Sequence, residues 1–243
     1  MSSKQILIIL LTVVLAVLLY FAPRIGSGKK ETDPAADEDF AVQFAEAKKG
    51  LSEEQARIFD KLEEKLRQAE KDNNEQSWMT SGTEFLKAAR YFQDGNKAVL
   101  YKGAISGFEK TLALNPKNLS AKTGLGSAIV EGSSLLGTQP MAGITLIREV
   151  VAVDSANIEA NLQLGLFSVT SRQFDKAIER FQRILRIDST HIDMYVYLGD
   201  TYMTMGEKQK AIDSYENYKT RVKDTLIIKD IDEYIKKLKQ QQN

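Results

Sequence analysis

The chain has 243 residues, with 33 Lys and Arg against 33 Asp and Glu, one His and no Cys. The lack of cysteine excludes disulfides and thiolate metal sites, and a single histidine excludes a multi-histidine metal site. The net charge is zero, so the chain lacks the excess of basic residues that is typical of nucleic-acid-binding proteins. No nucleic-acid partner is therefore expected. These exclusions favour a protein that is not an enzyme and holds no cofactor or metal.

The N-terminus carries an uncharged apolar run, ILIILLTVVLAVLLYFA, over residues 6–22. At helical rise this run reaches about 26 Å, the short end of a bilayer span. The sequence therefore predicts a short tail and transmembrane anchor over residues 1–22. A cleaved signal peptide is the alternative interpretation.

The charges beside this run bear on its orientation. Lys4 and the α-amine flank one side, whereas Arg24, Lys29 and Lys30 flank the other. Lys and Arg counts alone favour a cytoplasmic C-terminal side. We expect the opposite, because a short positively charged tail commonly stays inside. This predicts a single-pass protein of the cell inner membrane with a periplasmic C-terminal domain.

A linker and two helices are predicted next. Residues 23–36 contain Gly, Pro and mixed charges and too few apolar residues to pack, which predicts a flexible linker. Residues 37–74 predict an amphipathic helical pair, the second helix starting at a capping box of Ser52 and Gln55. The apolar positions follow helical spacing: Phe40, Phe44 and Ala47, then Phe59, Leu62, Leu66 and Ala69. The pair either packs on the downstream domain or serves as a dimerisation or partner-docking element.

Two later stretches repeat with a period of 34 residues. The matched pairs include an apolar residue at the start, small residues and an aromatic: Ile158 and Ile192, Leu164 and Leu198, Gly165 and Gly199, Ala177 and Ala211, Phe181 and Tyr215. This pattern resembles the tetratricopeptide repeat (TPR) family, with small residues at the eighth and twentieth positions and an aromatic at the twenty-fourth. The small residues let two helices cross closely, and the aromatic fills the adjacent space.

The resemblance extends upstream with insertions. A TPR array is predicted over residues 78–222, with repeats at about 82–116, 119–155, 158–190 and 192–222. Gly126 and Gly143 are 17 residues apart, where the ideal separation is 12, so five extra residues are expected to bulge between the helices within SSLLGTQP. In the first repeat the helices are expected to cross at Ala88 and Ala89, with about three extra residues near 94–96.

Residues 223–243 predict a C-terminal capping helix. Its apolar stripe is Ile227, Ile231, Tyr234 and Leu238, which would cover the last apolar face of the array. The predicted fold is therefore all-α: a TPR helix-turn-helix superhelix of about four repeats, with flanking helices and an N-terminal transmembrane helix.

The resemblance implies that the first helix of each repeat lines a groove that receives a protein or peptide partner. By position, the groove residues are Thr123, Ser127, Val130, Leu162, Leu166, Val169, Val196, Asp200 and Met203. Alternatively, these residues face solvent or pack on the N-terminal helical pair. The basic clamp with which some TPR proteins hold a C-terminal carboxylate is missing at these positions.

Two functions are compatible with this layout. The first is a non-enzymatic, membrane-anchored TPR scaffold or assembly factor that binds protein partners in the bacterial cell envelope, within a multi-subunit complex. The second is an accessory TPR subunit of an enzyme complex, such as cytochrome c maturation machinery.

Overall fold

The computed structural model describes residues 34–93 and 95–240, which form eleven α-helices and no strand. The helices are α1 Pro34–Ala47, α2 Glu53–Asp72, α3 Glu75–Tyr91, α4 Lys97–Leu114, α5 Leu119–Leu136, α6 Pro140–Val153, α7 Ile158–Thr170, α8 Phe174–Ile187, α9 Met194–Thr204, α10 Lys208–Lys219 and α11 Thr225–Gln240. The predicted anchor, residues 1–22, lies outside the described residues. Within those residues, no helix is both long and apolar enough to cross a membrane.

Side-chain caps fix where several helices begin. Ser52 Oγ accepts the Gln55 N–H at 3.3 Å, and the Ser52 N–H donates to Gln55 Oε1 at 3.0 Å, which completes the predicted capping box before α2. Asn118 and Asn157 accept a backbone N–H in the same way before α5 and α7. The linker was predicted to run to residue 36, but α1 already begins at Pro34. Proline is well suited to a first helical position because its φ angle is fixed and the missing N–H is not needed there.

A phenylalanine cluster joins the N-terminal helical pair to the rest of the chain. The ring centroids of Phe44 and Phe59 are 5.1 Å apart, and Phe44 and Phe85 are 5.5 Å apart. Phe59 also packs edge-on against Phe92 at 5.5 Å. Because Phe85 and Phe92 belong to α3 and its C-terminal end, α1 and α2 pack on the downstream domain. This is one of the two arrangements that the sequence left open.

The helices from α3 to α10 pack as four successive pairs. In the last two pairs, the crossing has the predicted small-to-aromatic contact. A Cβ added to Gly165 would lie 2.6 Å from the Phe181 ring, and one added to Gly199 would lie 2.4 Å from the Tyr215 ring. Only glycine leaves room for an aromatic ring at this distance.

The second pair corrects the predicted bulge. The α5 helix continues to Leu136, and only residues 137–139 separate it from α6, as few as separate α7 from α8. The five extra residues therefore lengthen α5, where each added residue satisfies its backbone hydrogen bonds within the helix. Gly137, with φ of 64°, ends the helix in the left-handed conformation.

In the first pair, the helices make a close contact at two glycines that the sequence pattern did not indicate, and the predicted crossing residues Ala88 and Ala89 are buried as well. The α3 helix begins at Glu75, earlier than predicted, and it approaches α4 closely at Gly82 and Gly107. A Cβ added to Gly107 would lie 2.6 Å from Gly82 Cα. Two facing glycines allow a closer approach than two alanines, which explains the close contact there.

The apolar clusters that follow α5 each lie between neighbouring helix pairs. Every cluster joins the second helix of one pair to the first helix of the next, or to α11. Their buried members are Ile144, Ile147, Val150, Ala160 and Leu164; then Ala177, Phe181, Ile184, Met194 and Leu198; then Ala211, Ile212, Tyr215, Ile235 and Leu238.

The α11 helix covers the last cluster, as predicted. Ile231 and Leu238 of the predicted stripe pack in the cluster, and the buried Ile235 lies between them in sequence. Tyr234 is 43% exposed but packs edge-on against the Tyr215 ring at 5.4 Å. Ile227, 37% exposed, lies outside the cluster, so the prediction differs from the structure at Ile227 and Ile235.

Candidate functional site

The predicted groove residues form three stripes of equal spacing on α5, α7 and α9, the first helices of three successive pairs. Within each stripe the members are four and three residues apart, so they share one face of their helix. We call the nine residues the groove set: Thr123, Ser127 and Val130; Leu162, Leu166 and Val169; Val196, Asp200 and Met203.

Two members on α5 are not accessible. Thr123 and Ser127 are each 1% exposed. Their hydroxyls donate to backbone carbonyls of their own helix, Thr123 to Leu119 at 3.0 Å and Ser127 to Thr123 at 2.9 Å. Because these bonds satisfy the hydroxyls, both residues can be buried between helices at little cost. The assignment of these two residues to an open groove surface is therefore corrected, while Val130 on the same stripe is half-buried.

The α7 stripe combines packing with accessibility. Leu162, Leu166 and Val169 are half-buried, and all three pack against the cluster built around Phe181. One side of each side chain thus contacts the core while the other stays open to solvent. Such a row offers apolar area to a partner without unfolding the helix that carries it.

The α9 stripe adds a carboxylate. Val196 and Met203 are half-buried, and Asp200 between them is exposed. Asp200 Oδ1 accepts a hydrogen bond from the Tyr215 hydroxyl at 2.7 Å. Burial raises the pKa of Tyr215 above its ordinary value, and the hydrogen bond to Asp200 raises it further. Tyr215 therefore stays a neutral donor that fixes the position of the Asp200 carboxylate.

Two tyrosines of α9 make cation–π contacts that the sequence did not indicate. The Arg221 guanidinium lies 4.8 Å from the Tyr195 ring centroid, and Lys210 Nζ lies 5.5 Å from that of Tyr202. These contacts bring α10 and its C-terminal end onto α9. Their partners are 8 and 26 residues apart, with no regular spacing that a sequence pattern could reveal.

No enclosed small-molecule site is evident in the part of the chain that the structure describes. Two surface depressions of about 340 Å³ are open to solvent, one between α10 and α11 beside Glu216 and Asp232, the other along α2 beside Glu63. Neither contains a residue of the groove set. In the same residues, no group of three or more His, Asp or Glu side chains is arranged to hold a metal ion.

Comparison with known proteins identifies the repeat. Residues 192–219, which contain the whole of the last helix pair, match a family model described as a tetratricopeptide repeat. No curated protein sequence matches the chain. The chain therefore carries a TPR repeat within an all-α fold.

The chain is similar to several solved structures. The structure of MamA, residue 41 to the end, from Desulfovibrio magneticus RS-1 is 18% identical with a TM-score of 0.51, covering 76% of this chain and 94% of that one. A crystal structure of MamA is 24% identical with a TM-score of 0.46, covering 62% of this chain and 96% of that one. YrrB, described as a TPR protein with an unusual peptide-binding site, is 18% identical with a TM-score of 0.43, covering 70% and 97%. The likeness to the Desulfovibrio magneticus structure, with a TM-score of 0.51 at 18% identity, shows the fold alone.

Proposed function

We propose that this protein is a non-enzymatic scaffold that binds a protein or peptide segment on the face formed by α7 and α9. The observation that carries the proposal is the pair of matched stripes with open apolar area, Leu162, Leu166 and Val169 on α7 and Val196 and Met203 on α9. Asp200, fixed by Tyr215, supplies a negative charge between the last two. A partner with an apolar row and one basic residue fits this surface.

The proposal includes the cellular setting. The uncharged run over residues 6–22 would anchor the chain in the bacterial inner membrane, with the helical array in the periplasm and within an envelope complex. Removal of residues 1–22 is then expected to shift the protein from the membrane fraction to the soluble fraction. Protease added to spheroplasts should digest the array of the full chain. Protection of the array from protease would contradict the periplasmic orientation.

The groove is tested by crosslinking in cells. A photoreactive amino acid at Leu166 or Val169 is expected to capture the partner, which mass spectrometry then identifies. The matched control places the same group at Gln68, an exposed position on α2 outside the groove set. If Gln68 captures the same proteins as Leu166, the α7–α9 face is not the binding surface.

A substitution separates binding from folding. Leu166→Glu places a charge on the open side of α7 and is expected to reduce capture from a crosslinker at Val196. Because Leu166 also touches the Phe181 cluster, the melting temperature of the variant is measured alongside. Full capture by a folded Leu166→Glu variant would refute the proposal.

A further inference from the structure

The arginines of α6 and α8 differ from most others in the described chain. Three arginines elsewhere are ion-paired with carboxylates: Arg57 with Glu53, Arg67 with Glu63, and Arg90 with Glu131. By contrast, no carboxylate of the described residues lies within 4.0 Å of the guanidinium groups on α6 and α8, which are those of Arg148, Arg180, Arg183 and Arg186. Unpaired arginines are thus concentrated on two second helices of successive pairs.

Arg180 is held in place by a buried amide. Its Nη1 donates to Asn161 Oδ1 at 2.8 Å, and Asn161 is 0% exposed. The Asn161 amide nitrogen donates in turn to the carbonyls of Ser155 at 3.2 Å and Asn157 at 2.8 Å, which fixes the orientation of the amide. Arg180 is itself half-buried, so its guanidinium is preorganised by the fold and its other N–H groups remain available.

Charged side chains of both signs lie near the Arg180 guanidinium. Burial lowers the pKa of Arg180; the Glu179 carboxylate opposes that change, whereas Arg183 and Arg148 lower the pKa further. Arg148 on α6 and Arg183 on α8 are thus each close enough to Arg180 for their charges to act on it. We call these three residues the arginine patch. An anion bound among them would relieve the repulsion.

We propose that the arginine patch binds an acidic segment of a protein partner, with carboxylates accepting paired N–H bonds from the guanidinium groups. Arginine presents its donors in a planar fork that matches a carboxylate. A flat anionic lipid surface fits less well, because it would meet the exposed carboxylates of Glu149 and Glu179 before it reached the half-buried guanidinium groups of Arg180 and Arg183. A single extended segment can lie beside those carboxylates. The patch lies on α6 and α8, so this proposal does not depend on the α7–α9 groove.

The test measures binding of a defined acidic probe. A fluorescein-labelled peptide of alternating glutamate and serine is titrated with the full chain in non-ionic detergent at low salt, and anisotropy gives Kd. The Arg180→Gln/Arg183→Gln variant is expected to raise Kd about tenfold, the effect of losing a charge-assisted contact. About 1 M sodium chloride, with a Debye length near 3 Å, should abolish binding by the wild-type chain.

The matched control is Arg57→Gln/Arg67→Gln, which removes the same charge from arginines that are already ion-paired. Its Kd should stay within about twofold of wild type, since exposed pairs contribute little. Arg183→Gln alone keeps the Arg180–Asn161 hydrogen bond and should still weaken binding. This single variant therefore separates the loss of a contact with the peptide from a loss of the fold. Equal weakening by the patch and control variants would overturn the proposal, as would no binding by the wild-type chain.

A vesicle experiment distinguishes the lipid alternative. Phosphatidylglycerol vesicles are mixed with the wild-type chain and with the Arg180→Gln/Arg183→Gln variant. Vesicle binding is expected to be equal for the two proteins. If the variant loses vesicle binding while its Kd for the acidic peptide is unchanged, the patch is a lipid-binding surface and the proposal is wrong.

Discussion

The glycine crossing between α5 and α6 makes a sharp prediction for Gly143→Ala. A Cβ at this position would lie 2.4 Å from the carbonyl oxygen of Gly126 and 2.9 Å from Val130 Cγ2. The first of these atoms belongs to the backbone of α5 and cannot move by a change of rotamer. The two helices would have to separate by about 1 Å to reach the ordinary contact distance of 3.4 Å.

Two opposing effects set the magnitude. Alanine is preferred over glycine within a helix by about 0.5–1 kcal/mol. Overpacking a close-packed contact costs about 1–3 kcal/mol, and here the neighbouring cluster of Ile144 and Ile147 would be disturbed as well. The overpacking term is larger, so Gly143→Ala is expected to lower the free energy of unfolding by about 1–2 kcal/mol. For a chain of this size the melting temperature should fall by about 3–6 °C.

Urea unfolding followed by circular dichroism measures this change, and Gly95→Ala is the control. No atom lies within 4 Å of a Cβ added to Gly95, and its φ angle is outside the left-handed range. Gly95→Ala should therefore leave stability unchanged or raise it by up to about 1 kcal/mol. A Gly143→Ala protein as stable as wild type would refute the close crossing of α5 and α6.

Three further predictions concern the repeats and the contact between the first two. Ala177→Leu and Ala211→Leu should each cost about 1–3 kcal/mol in thermal unfolding, because both alanines are 0% exposed; unchanged stability in both would contradict the repeat alignment. Burial, and then the nearby Glu131 carboxylate, raises the pKa of Tyr101 to about 12. The unfolded chain loses this proton at lower pH, so its contribution to stability is complete below about pH 10 and is lost as the pH rises towards 12. Tyr101→Phe should flatten that decline in urea midpoints; an unaltered slope would contradict the assignment. Arg90 donates to Glu131 at 2.6 and 2.9 Å, and a double-mutant cycle to alanine should give about 1 kcal/mol of coupling, with zero coupling as the contrary result.

The sequence predicted the parts of the fold that rest on local chemistry or on a fixed period. Ser52 and Gln55 mark a helix start because the capping bonds join residues three apart. Gly165 and Phe181 could be assigned because the 34-residue period repeats their spacing at Gly199 and Tyr215. In both cases the information lies within one helix pair.

Features that depend on which helices become neighbours could not be predicted. The Gly82–Gly107 contact does not follow from the 34-residue period, although Gly82 is the eighth residue of α3, as Gly126 and Gly165 are of α5 and α7. Thr123 and Ser127 have the spacing of the accessible residues on α7, but their burial depends on the helices that pack around α5. Arg148 and Arg180 lie on different helices, α6 and α8, and no spacing in the sequence indicates that their charges interact.

The placement of the apolar clusters determines where the array can be shortened. A chain that stops after α8 would expose Ala177, Phe181 and Ile184, because their partners Met194 and Leu198 are on α9. A chain that stops after α9 would retain that cluster, but Gly199 would lose the Tyr215 ring that packs on it, and Tyr202 and Met203 would lose their contacts with the last cluster. A truncation therefore exposes apolar residues whether it falls between two pairs or within one, and each unit that loses structure together should extend beyond a single repeat.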